Sequence, residues 1–236
     1  MIFRKNWGTF APFYIFVAGL FLAGTVLGSR AVTTLAEMRP LPRQHTIVID
    51  PGHGGEDGGA TSCTGILESR FNLEIALRLN DLLHLLGYDT VMIRTTDTSV
   101  YTQGTTIAQK KVSDLKERVR IVNEQENALL VSIHQNFFAD SQYSGAQVFY
   151  AATDGSEALA KQLQAALVSA LNPGSSRKSK QASGIYLMEH IESTGILVEC
   201  GFLSNPREEA LLRTPEYQTR LCCTIAAVVS QYLSNT

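Results

Sequence analysis

The stretch "HTIVIDPGHGG", residues 45–55, decides the fold. Its first half, Thr46 to Ile49, is a short β-branched apolar run, as expected of a strand buried on both faces. Its second half sets one histidine, His53, among Gly52, Gly54 and Gly55. Glycines there let the backbone turn tightly and leave the imidazole uncovered at the carboxyl end of the strand, where open α/β sheets place chemistry.

Working outward, short apolar runs alternate with helical patterns. "DTVMIR", "ALLVSIH", "GAQVFYAA", "GIYLM" and "GILVECG" fall between "ESRFNLEIALRLNDLLHLL", "VSDLKERVRIVNEQ", "SEALAKQLQAALVSAL" and "PEYQTRLCCTIAAVVSQYL". That alternation predicts an α/β fold, a single domain with a largely parallel sheet covered on both faces. Gly87 is placed to end the first long helix in a left-handed cap, and Gly155-Ser156 to supply an N-cap for the helix that follows.

The amino end is of another kind. Arg4 and Lys5 precede an uncharged stretch from Trp7 to Ser29, closed by Arg30. About 20 apolar residues can cross a bilayer, whereas signal-peptide cores run about 7–15, so residues 1–30 are expected to form a hydrophobic helix acting as an uncleaved signal-anchor. Positive charge held inside would leave the rest extracytoplasmic. Residues 31–44, with Pro40 and Pro42 and no sustained periodicity, read as a linker, leaving 45–236 for the α/β domain. A net charge of −2 gives no field to attract nucleic acid. Cys63, Cys200, Cys222 and Cys223 lack a C-x-x-C spacing and read as small buried or semi-exposed thiols.

Partners for His53 are sought at the same sheet edge. "LLVSIHQN" places His134 just past an apolar strand, and Glu68 opens the first long helix, able to turn back toward that edge. Two imidazoles and one carboxylate leave one position of a tetrahedral Zn²⁺ open, the arrangement of a catalytic site. Glu199, at the end of Ile196-Leu197-Val198, would be costly to bury without a task; beside an activated water it can accept and return a proton. Each residue also has a plain structural reading: a turn for His53, a strand end for His134, a helix start for Glu68. Their coincidence on one edge favours a site. His45 and His84 read as surface residues, His190 could approach the cleft, and Asn136 could brace a ligand or serve a turn. The "RKSK" run, Arg177 to Lys180, reads as a solvated loop; if functional, it would hold an anionic glycan or an acidic partner.

Taken together, "IVIDPGHGGEDGGA", Glu68, "VSIHQN" and "VECGFLSNP" resemble the zinc-dependent N-acetylmuramoyl-L-alanine amidases of the type-3 family, over about residues 45–234. The resemblance implies that His53, Glu68 and His134 bind zinc, that Glu199 is the catalytic acid/base, and that the twisted, mostly parallel sheet has about six strands. "GAQVFYAATDGSEALAKQLQAAL", "IYLME" and "ILVECGFLSNPREEALL" are similar to the germination-specific subgroup of endospore formers. Those relatives strip stem peptides from cortex peptidoglycan on the way to muramic-δ-lactam, and some clostridial ones need a lipoprotein activator. The chain departs from the usual pattern at Gly58 and Cys200, and neither change removes a ligand.

Other readings remain open on the sequence. A zinc carboxypeptidase acting within stem peptides could use the same ligands, a catalytically silent wall-binding module could share the fold, and iron can occupy a two-histidine, one-carboxylate triad. Phosphate binding is disfavoured, because "GHGGEDGGAT" lacks the lysine of a P-loop and the register of a dinucleotide loop.

Overall fold

The computed structural model describes residues 45–235; the expected signal-anchor and most of the linker lie outside the described residues. Among the described residues, no helix is long and apolar enough to cross a membrane. Six strands, β1 (Thr46–Pro51), β2 (Asp89–Met92), β3 (Ala128–Asn136), β4 (Gln147–Tyr150), β5 (Lys180–Gln181) and β6 (Thr194–Phe202), form one sheet in the order β2-β1-β3-β6-β4-β5. The first four in that order run parallel, β4 is antiparallel to β6, and β5 is parallel to β4. The sheet is therefore mixed, with three parallel pairings at its centre.

Side chains alternate across the pleat, and both faces are apolar. Ile47 and Ile49, Leu129 and Val131, and Ile196 and Val198 face α1 (Glu68–Leu85), α3 (Ser156–Ala170) and α6 (Pro215–Leu233). Val48, Leu130 and Leu197 face α2 (Ile107–Asn123) and α4 (Tyr186–His190). A seven-residue helix, α5 (Pro206–Leu212), follows β6.

Local chemistry sets the helix ends. Gly87, at φ 86, closes α1, with its N–H donated to the His84 carbonyl and that of Tyr88 to the Leu83 carbonyl, the paired bonds of a left-handed cap. Helix α2 starts five residues earlier than "VSDLKERVRIVNEQ" suggested, because Thr106 and Gln109 form a reciprocal capping box. Gly155-Ser156 supplies the N-cap of α3 as expected, through the backbone rather than the serine side chain. Gly155 takes that place at φ 79 with no side-chain cap, and the Ser156 hydroxyl instead accepts from Gly195 N and pairs with Thr153. "GIYLM" forms helix α4 rather than a strand, and α5 was not foreseen.

Candidate active site

β1 and β3 are neighbours whose chain connections leave in opposite directions across the sheet, β1 to β2 on one side and β3 past the position of β6 to β4 on the other. Ligands of open α/β sheets bind outside the carboxyl ends of strands at such a switch point. His53 follows β1 and His134 lies near the end of β3, directly beside Glu199 on β6. A bulge follows at once: Asn136 pairs with Phe202, so β6 carries one extra residue past Glu199. Bulges of this kind re-aim side chains at sheet ends.

The loop that carries His53 is clamped. Arg94 donates from Nε to the Pro51 carbonyl at 2.8 Å and from Nη2 to the Gly52 carbonyl at 3.0 Å. Arg118 donates to the carbonyls of Pro51 at 3.1 Å and His53 at 2.8 Å, while Asn72 Nδ2 reaches the Gly52 carbonyl at 3.1 Å. Three consecutive carbonyls are thereby fixed, and His53 is held in the left-handed region at φ 61, which a residue with a Cβ seldom adopts. Arg118 is itself a buried cation paired with Asp50 and with Asp114. Burial would raise the Asp50 carboxyl, but Arg118, His134 and the Ser132 hydroxyl outweigh it and hold the carboxyl below its ordinary value.

Helix α1 brings the third group. Leu67 supplies no side-chain cap, so the first N–H groups are satisfied by the loop itself: Glu68 N donates to the Ala60 carbonyl at 2.8 Å and Ser69 N to the Gly58 carbonyl at 3.1 Å. Glu68 is buried, and its Oε1 accepts from Gln135 N at 3.1 Å and its Oε2 from Ala60 N at 3.0 Å. His134 Nδ1 lies 3.0 Å from Glu68 Oε1, and His53 Nε2 lies 3.4 Å from Glu68 Oε2. Burial opposes ionisation of Glu68, yet the hydrogen bonds and charges of His134 and His53 keep its carboxyl well below the usual carboxylate range.

One potential donor atom from each of His53, Glu68 and His134 lies within 4.8 Å of the others. The Glu68 carboxylate spans the two imidazoles, Oε1 lying 3.0 Å from His134 Nδ1 and Oε2 3.4 Å from His53 Nε2. Asp57 Oδ2 takes His53 Nδ1 at 3.1 Å, which turns the Nε2 lone pair toward Glu68; two acceptors then face each other unless a proton or a cation lies between them. These residues fit a divalent ion.

Glu199 stands at the wall of the same cleft, of about 210 Å³, together with His53, Asp57, His134, Leu115 and Leu187. Its Oε2 is buried with no hydrogen-bond partner. Burial pushes its carboxyl up to about 7, with His134 opposing and Glu68 adding to the shift. A carboxylate so placed can exchange a proton near neutral pH.

The other candidates part company with the cleft. His84 is exposed and meets Thr90 at 2.6 Å, and His190 is exposed, its Nδ1 2.8 Å from the Tyr186 carbonyl. His45, at the end of the linker, is half-buried. The bracing role considered for Asn136 falls to its neighbour Gln135, which holds Glu68 through its N–H and Asn72 Oδ1 through Nε2 at 3.2 Å. All four cysteines are free, Cys200 and Cys222 buried, Cys63 and Cys223 exposed. Arg94, Arg118, Asp50, Asp57, Asn72 and Gln135 are the residues that sequence reasoning missed. Only the alternation that puts Asp50 and Ser132 on one face of adjacent strands could have hinted at any of them.

A mixed α/β sheet with a histidine–glutamate–histidine cluster and an unpartnered carboxylate oxygen at the carboxyl ends of its strands is an arrangement suited to a metal-dependent hydrolase. The N-acetylmuramoyl-L-alanine amidase family model matches residues 47–231, and the chain belongs to that family. It is 40% identical over 190 residues to the germination-specific N-acetylmuramoyl-L-alanine amidase of Bacillus subtilis, covering 80% of this chain and 79% of that protein. It is also similar to the CwlD amidase of Clostridioides difficile, solved in complex with the GerS lipoprotein, at 36% identity and a TM-score of 0.77, over 81% of this chain and 99% of that one. The catalytic domain of CwlV, an amidase of Bacillus (Paenibacillus) polymyxa, matches at 26% identity and a TM-score of 0.67, over 81% and 99%.

Proposed function

We propose that this chain hydrolyses the amide between the lactyl group of N-acetylmuramic acid and L-alanine with zinc held by His53, Glu68 and His134, and that its substrate is spore-cortex peptidoglycan. One observation carries the reading: three ligand-type atoms converge beside a glutamate whose buried oxygen has no partner. When bound, the ion supplies Lewis-acid polarisation of the amide carbonyl and an acidified water. Glu199 accepts a proton from the attacking water as the new C–O bond forms, then returns it to the alanine nitrogen as the C–N bond breaks. Asp57 holds His53 in the tautomer that presents Nε2, and Gln135 and Asn72 keep Glu68 in place.

The cortex role is supported by the likeness to the germination-specific amidase, and a lipoprotein activator by the likeness to the complexed CwlD. Residues 1–30 act as a signal-anchor, 31–44 as linker and 45–236 as the catalytic domain outside the cytoplasmic membrane, a reading that rests on the charge and apolar pattern of the sequence.

Metal analysis of the purified chain, with mass spectrometry of digested peptidoglycan, tests this. Wild type should carry one zinc and release intact stem peptides. Glu199→Gln should keep the zinc and lose release by about 10²- to 10⁴-fold. Wild-type turnover in that variant, or alanine left on muramic acid, overturns the assignment.

A further inference from the structure

The "RKSK" run is not absorbed by the chemistry above, and its four residues are not equivalent. Lys178 and Lys180 are exposed, whereas Arg177 is half-buried and fixed. Its Nε donates to the Ser144 carbonyl at 2.8 Å, its Nη1 reaches Gln147 Oε1 at 3.4 Å, and its guanidinium lies 4.8 Å above the Phe202 ring. Gln147 on β4 is the direct antiparallel partner of Glu199 on β6. Side chains of such partners share a face, with Cβ atoms about 4.5–5.5 Å apart, so the side chain that Arg177 holds is the cross-strand neighbour of Glu199.

We propose that Arg177 is a specificity-determining residue that receives a carboxylate of the stem peptide next to the scissile amide, an inference that rests on the amidase reading. Three observations carry it. No carboxylate lies within ion-pair distance of Arg177 among the described residues. The nearby acid Glu208 feels the charge of Arg177 but makes no hydrogen bond to it, its Oε1 accepting from Gly145 N at 2.7 Å and its Oε2 from Phe202 N at 2.8 Å. Two of the five guanidinium N–H donors are used, and the rest have no acceptor among the described residues. A planar cation stacked on a ring, with donors left over and little freedom to lose, is suited to a carboxylate, which takes two parallel N–H bonds. A neutral amide offers one acceptor oxygen. The comparison is therefore between muramyl-L-alanyl peptides whose second residue carries either a free carboxylate or the corresponding neutral amide.

The test is kcat/KM of the full-length, zinc-loaded chain on two muramyl peptides that differ only in that group. Wild type should favour the free acid by about 10-fold, carried mostly in KM. Arg177→Gln should bring the ratio to about 1, and Arg177→Lys should retain part of it, because charge survives while the fork geometry is lost. The ratio is taken within each variant, so a loss of folded protein cancels. A wild type without preference, or an Arg177→Gln variant that keeps the wild-type ratio, overturns the proposal. Release of no stem peptide from either substrate by wild type, both alone and with a lipoprotein activator added, overturns the amidase reading beneath it, a result distinct from an altered ratio.

Discussion

His53 is held at a backbone angle that costs of order 1 kcal/mol or more for a residue with a Cβ, and the cost is met by the hydrogen bonds that fix Pro51, Gly52 and His53 around it. At its ring, Asp57 bonds Nδ1 and Lys111 in turn lies 3.2 Å from Asp57. Carboxylates that orient a metal-bound imidazole change metal affinity by about 10–100-fold, so Asp57→Asn should weaken zinc binding by that range in a chelator-competition titration while leaving the fold intact. Unchanged affinity would assign Asp57 a loop-closing role alone. Asp50 has a different job. Its carboxyl is depressed by Arg118, so the stabilisation it gives is complete above its unfolded value, about 4, and is lost as pH falls through the lower folded value. Asp50→Asn should cost about 3 kcal/mol at pH 7, the lower end for a broken buried pair because Asp114 still faces Arg118, and should flatten the stability profile below pH 4 in urea titrations.

Glycines in the β1 loop tie elements to each other as much as they turn the chain. A Cβ on Gly52 would lie 2.1 Å from His134 Nε2, so β1 and β3 can bring their histidines together only with glycine there. Gly52→Ala is expected to fold, since a ring can rotate away, yet to lose zinc in metal analysis because the ring that moves is a proposed ligand. The same scale shows what the sequence exposes and what it hides. β1, β3 and β6 are central, buried on both faces, and their unbroken apolar runs are readable by eye; so is Gly87, whose φ of 86 suits glycine. "GIYLM" is five residues long, too short for a period of 2 to be told from one of 3.6, and contact with α2 makes it helical. The direction of β4 is equally silent, because pairing with β6 is decided across the sheet and not within "QVFY". Glu68 and Glu199 are legible as lone carboxylates at element ends, whereas Arg94 and Arg118 acquire their roles only when α1 and α2 close over the loop from opposite faces.

For the molecule as a whole, the strand order decides that chemistry sits between β1 and β3, since the connections diverge there and leave a crevice that α1 and α2 flank. The three proposed ligand residues come from a loop after β1, the start of α1 and the end of β3, so they meet only when the central sheet is formed. A cation bound by all three therefore binds the folded chain and not the unfolded one, and its binding energy adds to folding stability. At zinc about 1,000-fold above its dissociation constant the gain is about 4 kcal/mol, or roughly 10 °C in Tm for a domain of this size. Calorimetry on chelator-stripped protein titrated with zinc should show that rise in wild type. His134→Ala should lose most of it, and Glu199→Gln should keep it, because Glu199 is assigned to the proton and not to the ion. A zinc-independent Tm in wild type would mean that these side chains, although gathered within 4.8 Å, do not hold the metal as a set, and the catalytic assignment of Glu199 would lose its partner.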